Sequence, residues 1–162
     1  MAPVKRICFV CLGNIVRSPL AENLFKQLTV QAGVGEQYTV DSAGTGPWHV
    51  DEPPDQRMRR VAARHGLSYS GRARQFRAVE FEHFDLLLAM DYDNYSDLLQ
   101  LARSDAHRQK VHMLREFDPW GGANASVPDP FYSNLDSFEE VYAVIERSCR
   151  GLLEALNSGK LA

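Results

Sequence analysis

The sequence predicts an α/β fold, a four-stranded parallel sheet flanked by helices on both faces. Three observations carry that expectation. Short apolar runs alternate with longer stretches of helical period along the 162 residues. The run over 84–90, Phe-Asp-Leu-Leu-Leu-Ala-Met, is almost wholly apolar, as a strand covered on both faces must be. The first apolar run passes directly into a loop whose far side opens a helix, which is how a parallel crossover unit begins.

Residues 5–11 read as the first strand. Ser18 fits an N-cap and Pro19 the first helical position, and Leu20, Leu24 and Leu28 recur at every fourth place. A helix is therefore expected over 18–32, closed by Gly33 and Gly35. Residues 38–42 form a second short strand, and 55–65 a helix stopped by Gly66. Strand three follows over 84–90, after which Asp91 caps a helix carrying Leu98, Leu99 and Leu101. Residues 110–114 make a fourth strand. Ser137-Phe138-Glu139-Glu140 has the form of a capping box and should open a long helix, with Val141, Ile145, Leu152 and Leu156 on its inner face. Nothing repeats and no linker interrupts the pattern, so one domain over 1–162 is expected, of flavodoxin-like type with a phosphate loop after the first strand. Ligands in such sheets bind at the carboxyl ends of the strands, where Cys11 lies.

The segment Cys11-Leu12-Gly13-Asn14-Ile15-Val16-Arg17-Ser18 has the composition of an anion cradle with a nucleophile at its base. Backbone N–H groups of Leu12, Gly13, Asn14, Ile15 and Val16 and the helix N-terminus would face one small volume. There they favour the thiolate of Cys11, to which the Ser18 hydroxyl can donate. Gly13 permits close backbone approach, and Asn14 is one of the few side chains that tolerates a left-handed conformation. Arg17 offers a planar fork for two phosphate oxygens, which lysine could not match. A thiolate beneath a bound phosphate implies phosphoryl transfer to sulfur. A bare cysteine-x5-arginine pattern is weak; the glycine, the asparagine and the strand-to-helix context make this one specific.

Composition excludes several classes. With 44% hydrophobic and 24% charged residues the chain is an ordinary globular one, and its net charge of −3 favours neither nucleic acid nor an anionic membrane surface. No window approaches the roughly 18 apolar residues of a membrane span, and no separate signal-peptide core precedes the first strand. Its expected location is the cytoplasm. Cys8 and Cys11 lie on opposite faces of a strand, about 10 Å apart, beyond the about 7 Å that a disulfide spans. The five histidines lack ligand spacing, so neither metal nor other cofactor is expected.

On these residues the chain resembles the low-molecular-weight protein tyrosine phosphatases over nearly its whole length. Asp41-Ser42-Ala43-Gly44-Thr45, Ala73-Arg74-Gln75, Ala89-Met90-Asp91 and Asp129-Pro130-Phe131-Tyr132 match that family in order and spacing. The resemblance implies hydrolysis of phosphotyrosine in proteins, with a tyrosine kinase as the opposing partner. Cys11 would be the nucleophile, Arg17 the phosphate ligand and Asp129, between two prolines, the general acid. Trp48, Phe131 and Tyr132 would wall a slot as deep as a phenyl ring, while Ser42 and Asp91 support the loop. His49 is expected to be solvated and Asp118-Pro119 to be turn chemistry. Arg72, Arg74 and Arg77 would form either a basic rim for acidic peptides or a solvated face.

Two departures from the family pattern stand out. Val16 occupies the place where many members carry a second cysteine, and Gly71-Arg72 replaces a usual histidine. Related activities fit less well. Arsenate reductases with this loop need two further cysteines, and only Cys149 follows it here. Protein arginine phosphatases of the same fold tend to carry threonine where this chain has Ile15. An inactive phosphate-binding module would normally have lost Cys11, Arg17 or Asp129.

Overall fold

A computed structural model describes residues 5–122, 125–131 and 133–161. The expected parallel sheet is present, with strands β1 (Lys5–Cys11), β2 (Tyr38–Gly44), β3 (Leu86–Ala89) and β4 (Val111–Met113) in the order β2-β1-β3-β4. Among the described residues five α-helices accompany it: α1 (Arg17–Gln31), α2 (Gln56–Arg64), α3 (Tyr92–Leu101), α4 (Asp105–Gln109) and α5 (Leu135–Asn157).

The strand period of two sorts β1 between two cores. Ile7, Phe9 and Cys11 pack with α1, α2 and α5 through Leu20, Leu24, Phe25, Met58, Val61, Val141, Ile145 and Leu152. Cys8 and Val10 project into the opposite core with Phe76, Phe81, Leu87 and Leu98. The two cysteines of the C-x-x-C therefore belong to different cores, and Cys8, Cys11 and Cys149 are free thiols. Strand order changes direction after β1, with β2 on one side and β3 on the other, and that switch point is where Cys11 ends β1.

Several element boundaries differ from expectation. Helix α1 starts at Arg17 with Val16 as its cap residue, so Ser18 lies inside the first turn and its hydroxyl is free for the site. Pro19 is still tolerated there, because the first four N–H groups of a helix have no partner within it. Strand β2 runs on to Gly44. Strands β3 and β4 are shorter than their apolar runs; Leu114 already belongs to a 3₁₀ turn over Leu114–Phe117. Helix α5 is capped by Asn134, whose Oδ1 accepts from the Ser137 backbone at 3.1 Å, rather than by a box at Ser137. Asp91 caps α3 as read, whereas Asp55, read as the first residue of a helix over 55–65, is the N-cap of α2.

Asp118 does more than turn the chain. Its carboxylate accepts from Arg147 Nε at 2.6 Å and Nη2 at 2.9 Å, from Arg115 Nε at 3.0 Å and from the Trp120 backbone at 2.9 Å. A buried carboxylate needs such partners. They tie the segment before the acid loop to α5.

Candidate active site

The loop after β1 is built around three short reaches of backbone. Gly44 pairs with Cys11 in register, and a Cβ on it would stand 2.8 Å from the Leu12 carbonyl oxygen. Only glycine lets β2 support the loop this closely. Thr45 and Gly46 then donate to the carbonyls of Cys11 and Leu12 at 2.8 and 2.9 Å. From the other side, Asp55 N donates to Ile15 O at 2.8 Å.

Asn14 has a φ of 57°, the left-handed conformation expected for it, and its side chain secures that turn. Its Nδ2 donates to Ser18 Oγ at 2.8 Å and to Ser42 Oγ at 3.0 Å, and its Oδ1 accepts from Arg74 N at 2.9 Å. Ser42 in turn donates to Glu22 Oε1 at 2.6 Å. Glu22 was not singled out from the sequence, because an acidic residue in the second turn of a helix looks like any solvated one.

Cys11 Sγ lies 3.0 Å from Ser18 Oγ and accepts from Asn14 N at 3.3 Å. Because Asn14 donates to Ser18, the serine hydroxyl proton can point at the sulfur at 3.0 Å or at the more distant Ala43 carbonyl at 3.4 Å. The thiol is buried, 3% exposed, and lines a cleft.

Arg17 is equally buried, which works against its charge. The Cys11 sulfur and the Asp91 and Asp129 carboxylates around it outweigh that, so its guanidinium holds its proton more firmly than an ordinary arginine. Its Nη1 is committed to Asp91 Oδ2 at 2.7 Å and to the Val127 carbonyl at 3.0 Å, while Nη2 approaches Asp129 Oδ2 at 3.5 Å. The Nε–Nη2 edge remains for two oxygens of a ligand. Asp91 thus both caps α3 and pairs with Arg17.

These groups open on a cleft of about 310 Å³ lined by Cys11, Arg17, Asp129, Ile15, Trp48 and Phe131, among others. That is the small end of ligand clefts, which run from roughly 300 to 1,000 Å³. Leu12, Gly13 and Val16 line it as well, whereas Asn14, Ser18, Ser42 and Asp91 stand behind the loop. Tyr132 lies outside the described residues.

His49 is not simply solvated. It lines the same cleft, its Nδ1 lies 2.9 Å from Glu52 Oε2, and its ring centroid is 5.8 Å from that of Phe131. It also packs on Gly13, where a Cβ would stand 2.8 Å from its Cδ2. Arg74 faces inward rather than to the rim, paired with Asp41 at 3.0 Å and Glu80 at 2.5 Å. Arg72 donates to the Asp51 carbonyl, and Arg77 caps the 3₁₀ turn that holds Glu80. Among the described residues, no three His, Cys, Asp or Glu side chains gather as a metal site would need, and no helix is long and apolar enough to cross a membrane.

A family model described as "Low molecular weight phosphotyrosine protein phosphatase" matches residues 6–161. A low molecular weight protein-tyrosine-phosphatase of Streptomyces coelicolor is 43% identical over 152 residues, 93% of each chain. The human low molecular weight phosphotyrosine protein phosphatase is 38% identical, covering 93% of this chain and 94% of its own. Among solved structures, a protein tyrosine phosphatase from Entamoeba histolytica with Hepes in its active site superposes with a TM-score of 0.92. It is 36% identical and covers 97% of this chain and 99% of its own.

Proposed function

The chain belongs to the family of low molecular weight phosphotyrosine protein phosphatases, and we propose that it hydrolyses phosphotyrosine in proteins through a phosphorylated Cys11. The carrying observation is the convergence of Cys11, Arg17 and Asp129 on one cleft, with Ser18 Oγ 3.0 Å from the sulfur.

In the first step the Cys11 thiolate attacks phosphorus, the bond to the phenolic oxygen breaks, and Asp129 passes its proton to that oxygen. The Nε–Nη2 edge of Arg17 and the loop N–H groups take the charge building on the phosphoryl oxygens. In the second step Asp129 takes a proton from water as that water attacks phosphorus. The sulfur–phosphorus bond breaks, and the Ser18 hydroxyl donates to the departing thiolate. Asn14, through Ser18 and Ser42, keeps these donors aimed before substrate arrives.

Trp48, Ile15 and Phe131 supply the walls for an aryl group, and an alkyl phosphate would reach the thiolate with much less contact. The substrates on this reading are products of a tyrosine kinase. Three free, buried thiols fit a reducing cytoplasm. Turnover of a phosphotyrosine peptide should exceed that of a matched phosphoarginine peptide, and Cys11→Ser should abolish both. A preference for phosphoarginine would refute the aryl-slot reading.

A further inference from the structure

The general acid has to be aimed as well as present, and the segment that bears it has few donors of its own. Pro128 and Pro130 flank Asp129 and contribute no N–H. At its start the segment is fastened by Val127 N, which donates to Met90 O at 2.7 Å, and by the Val127 carbonyl on Arg17. At its far end it meets Arg57, from the first turn of α2. Arg57 Nη1 donates to the Phe131 carbonyl at 2.9 Å, and its guanidinium lies over the Phe131 ring at 5.3 Å and the Phe138 ring at 4.6 Å.

Arg57 is itself held in place. Its Nε and Nη2 donate to Asp55 at 3.2 and 2.9 Å, and Asp55 also caps α2 through the backbones of Arg57 and Met58. Asp55 N is the group that donates to Ile15 O in the phosphate loop. An unbroken chain therefore runs from the phosphate loop through Asp55 and Arg57 to the carbonyl two residues beyond Asp129. Asp129 closes the circuit by accepting from Phe131 N at 3.1 Å through Oδ1.

We propose that Arg57 is a positioning residue for the general acid: by bridging Asp55 and the Phe131 carbonyl it sets where Asp129 meets the leaving oxygen. Its charge also stands near the Asp129 carboxylate. The planar fork matters, because Lys could pair with Asp55 but not reach the Phe131 carbonyl in the same pose. This inference rests on Asp129 being the acid.

The test compares kcat/KM on phenyl phosphate, whose leaving group needs a proton, with that on 2,4-dinitrophenyl phosphate, whose leaving group does not. It is run on the parent, Arg57→Met, Arg57→Lys, Asp129→Asn and the double variant Arg57→Met/Asp129→Asn. Arg57→Met should lose about tenfold on phenyl phosphate, as small misplacements of reacting groups do. On the dinitrophenyl ester it should stay within about twofold of the parent, where acid assistance contributes little. In the Asp129→Asn background the same change should cost nothing further. If Arg57→Met does not fold, Arg57→Lys carries the test and should show the same selective loss. An equal loss on both esters, or a cost that adds to that of Asp129→Asn, would overturn the proposal and leave Arg57 a structural residue. Selective loss in Asp129→Asn with no loss in either Arg57 variant overturns this proposal alone. An Asp129→Asn enzyme that handles phenyl phosphate like the parent overturns the acid assignment, and the proposal with it.

Discussion

Asp91 holds Arg17 and caps α3 at the same time: Oδ2 accepts from Arg17 Nη1 at 2.7 Å and Oδ1 from Asn94 N at 2.8 Å. The end of β3 is thereby connected, through Nη1, to a buried arginine whose Nε–Nη2 edge is turned to the cleft by that hold. The two roles separate by mutation. Asp91→Ala should cost about 1 kcal/mol of stability from the lost cap. It should also weaken inhibition by inorganic phosphate, because the Val127 carbonyl alone then holds Nη1. Asp91→Ser, a good cap too short to hold Arg17, should regain the melting temperature but not the phosphate affinity.

Asn14 should behave in the same divided way. Asn14→Ala leaves a Cβ-bearing residue at φ 57° without its three side-chain bonds. We expect kcat/KM to fall about a hundredfold, as when a preorganised donor set is disturbed. Asn14→Gly relieves the backbone, so it should melt higher than Asn14→Ala while staying as slow. Rates that recover together with stability would show that the side-chain bonds are not needed to aim the loop.

Acid should act on Asp118. Burial alone would raise its pKa, but the hydrogen bonds from Arg147, Trp120 and Arg115 outweigh that and hold it below the ordinary value of 3.8. A carboxylate whose folded pKa is depressed contributes its full stability above the unfolded value and loses it as pH falls through the folded one. Melting temperature should therefore drop on acidification below about pH 4 more steeply in the parent than in Asp118→Asn. At pH 7 that variant should be less stable by about 2 kcal/mol, less than for a fully buried pair because both arginines are partly solvated. Parallel pH profiles would remove Asp118 from the acid response.

Oxidation should leave Cys11 without a nearby thiol. Val16 fills the buried place in the loop, Cys8 projects into the other core, and Cys149 sits on α5 against the Ala21 carbonyl. Peroxide should carry Cys11 past the sulfenic acid, and dithiothreitol should return little activity. Full recovery accompanied by an intramolecular disulfide in the mass spectrum would contradict this.

The fold was legible because its signals are local. The apolar run at 84–90, the cap Asp91, and the turn from Cys11 into α1 each show in a few neighbouring residues. The boundaries that moved are those where a distant contact decides. Ser18 resembles a cap until Cys11, seven residues back, takes its hydroxyl. Asp118 resembles turn chemistry until Arg147 arrives from α5. His49 looked solvated because neither the pocket nor the pairing with Glu52 can be seen from its neighbours. In the site, the groups that meet at the cleft, and Ser42 and Asp91 behind the loop, could be read from residue type, order and resemblance, but several of their partners could not. Glu22, the Val127 carbonyl and Arg57 act through space, and nothing in their local sequence marks them.

The central claim is that phosphate passes through the sulfur of Cys11. Mixing enzyme with a phosphotyrosine peptide labelled in its phosphate, quenching in acid within milliseconds and mapping the label by mass spectrometry tests this directly. We expect phosphocysteine on the peptide containing Cys11 in the parent and none in Cys11→Ser, which should also release no phosphate. Phosphate release by Cys11→Ser, or a turning-over parent enzyme that never carries label on Cys11, would contradict it.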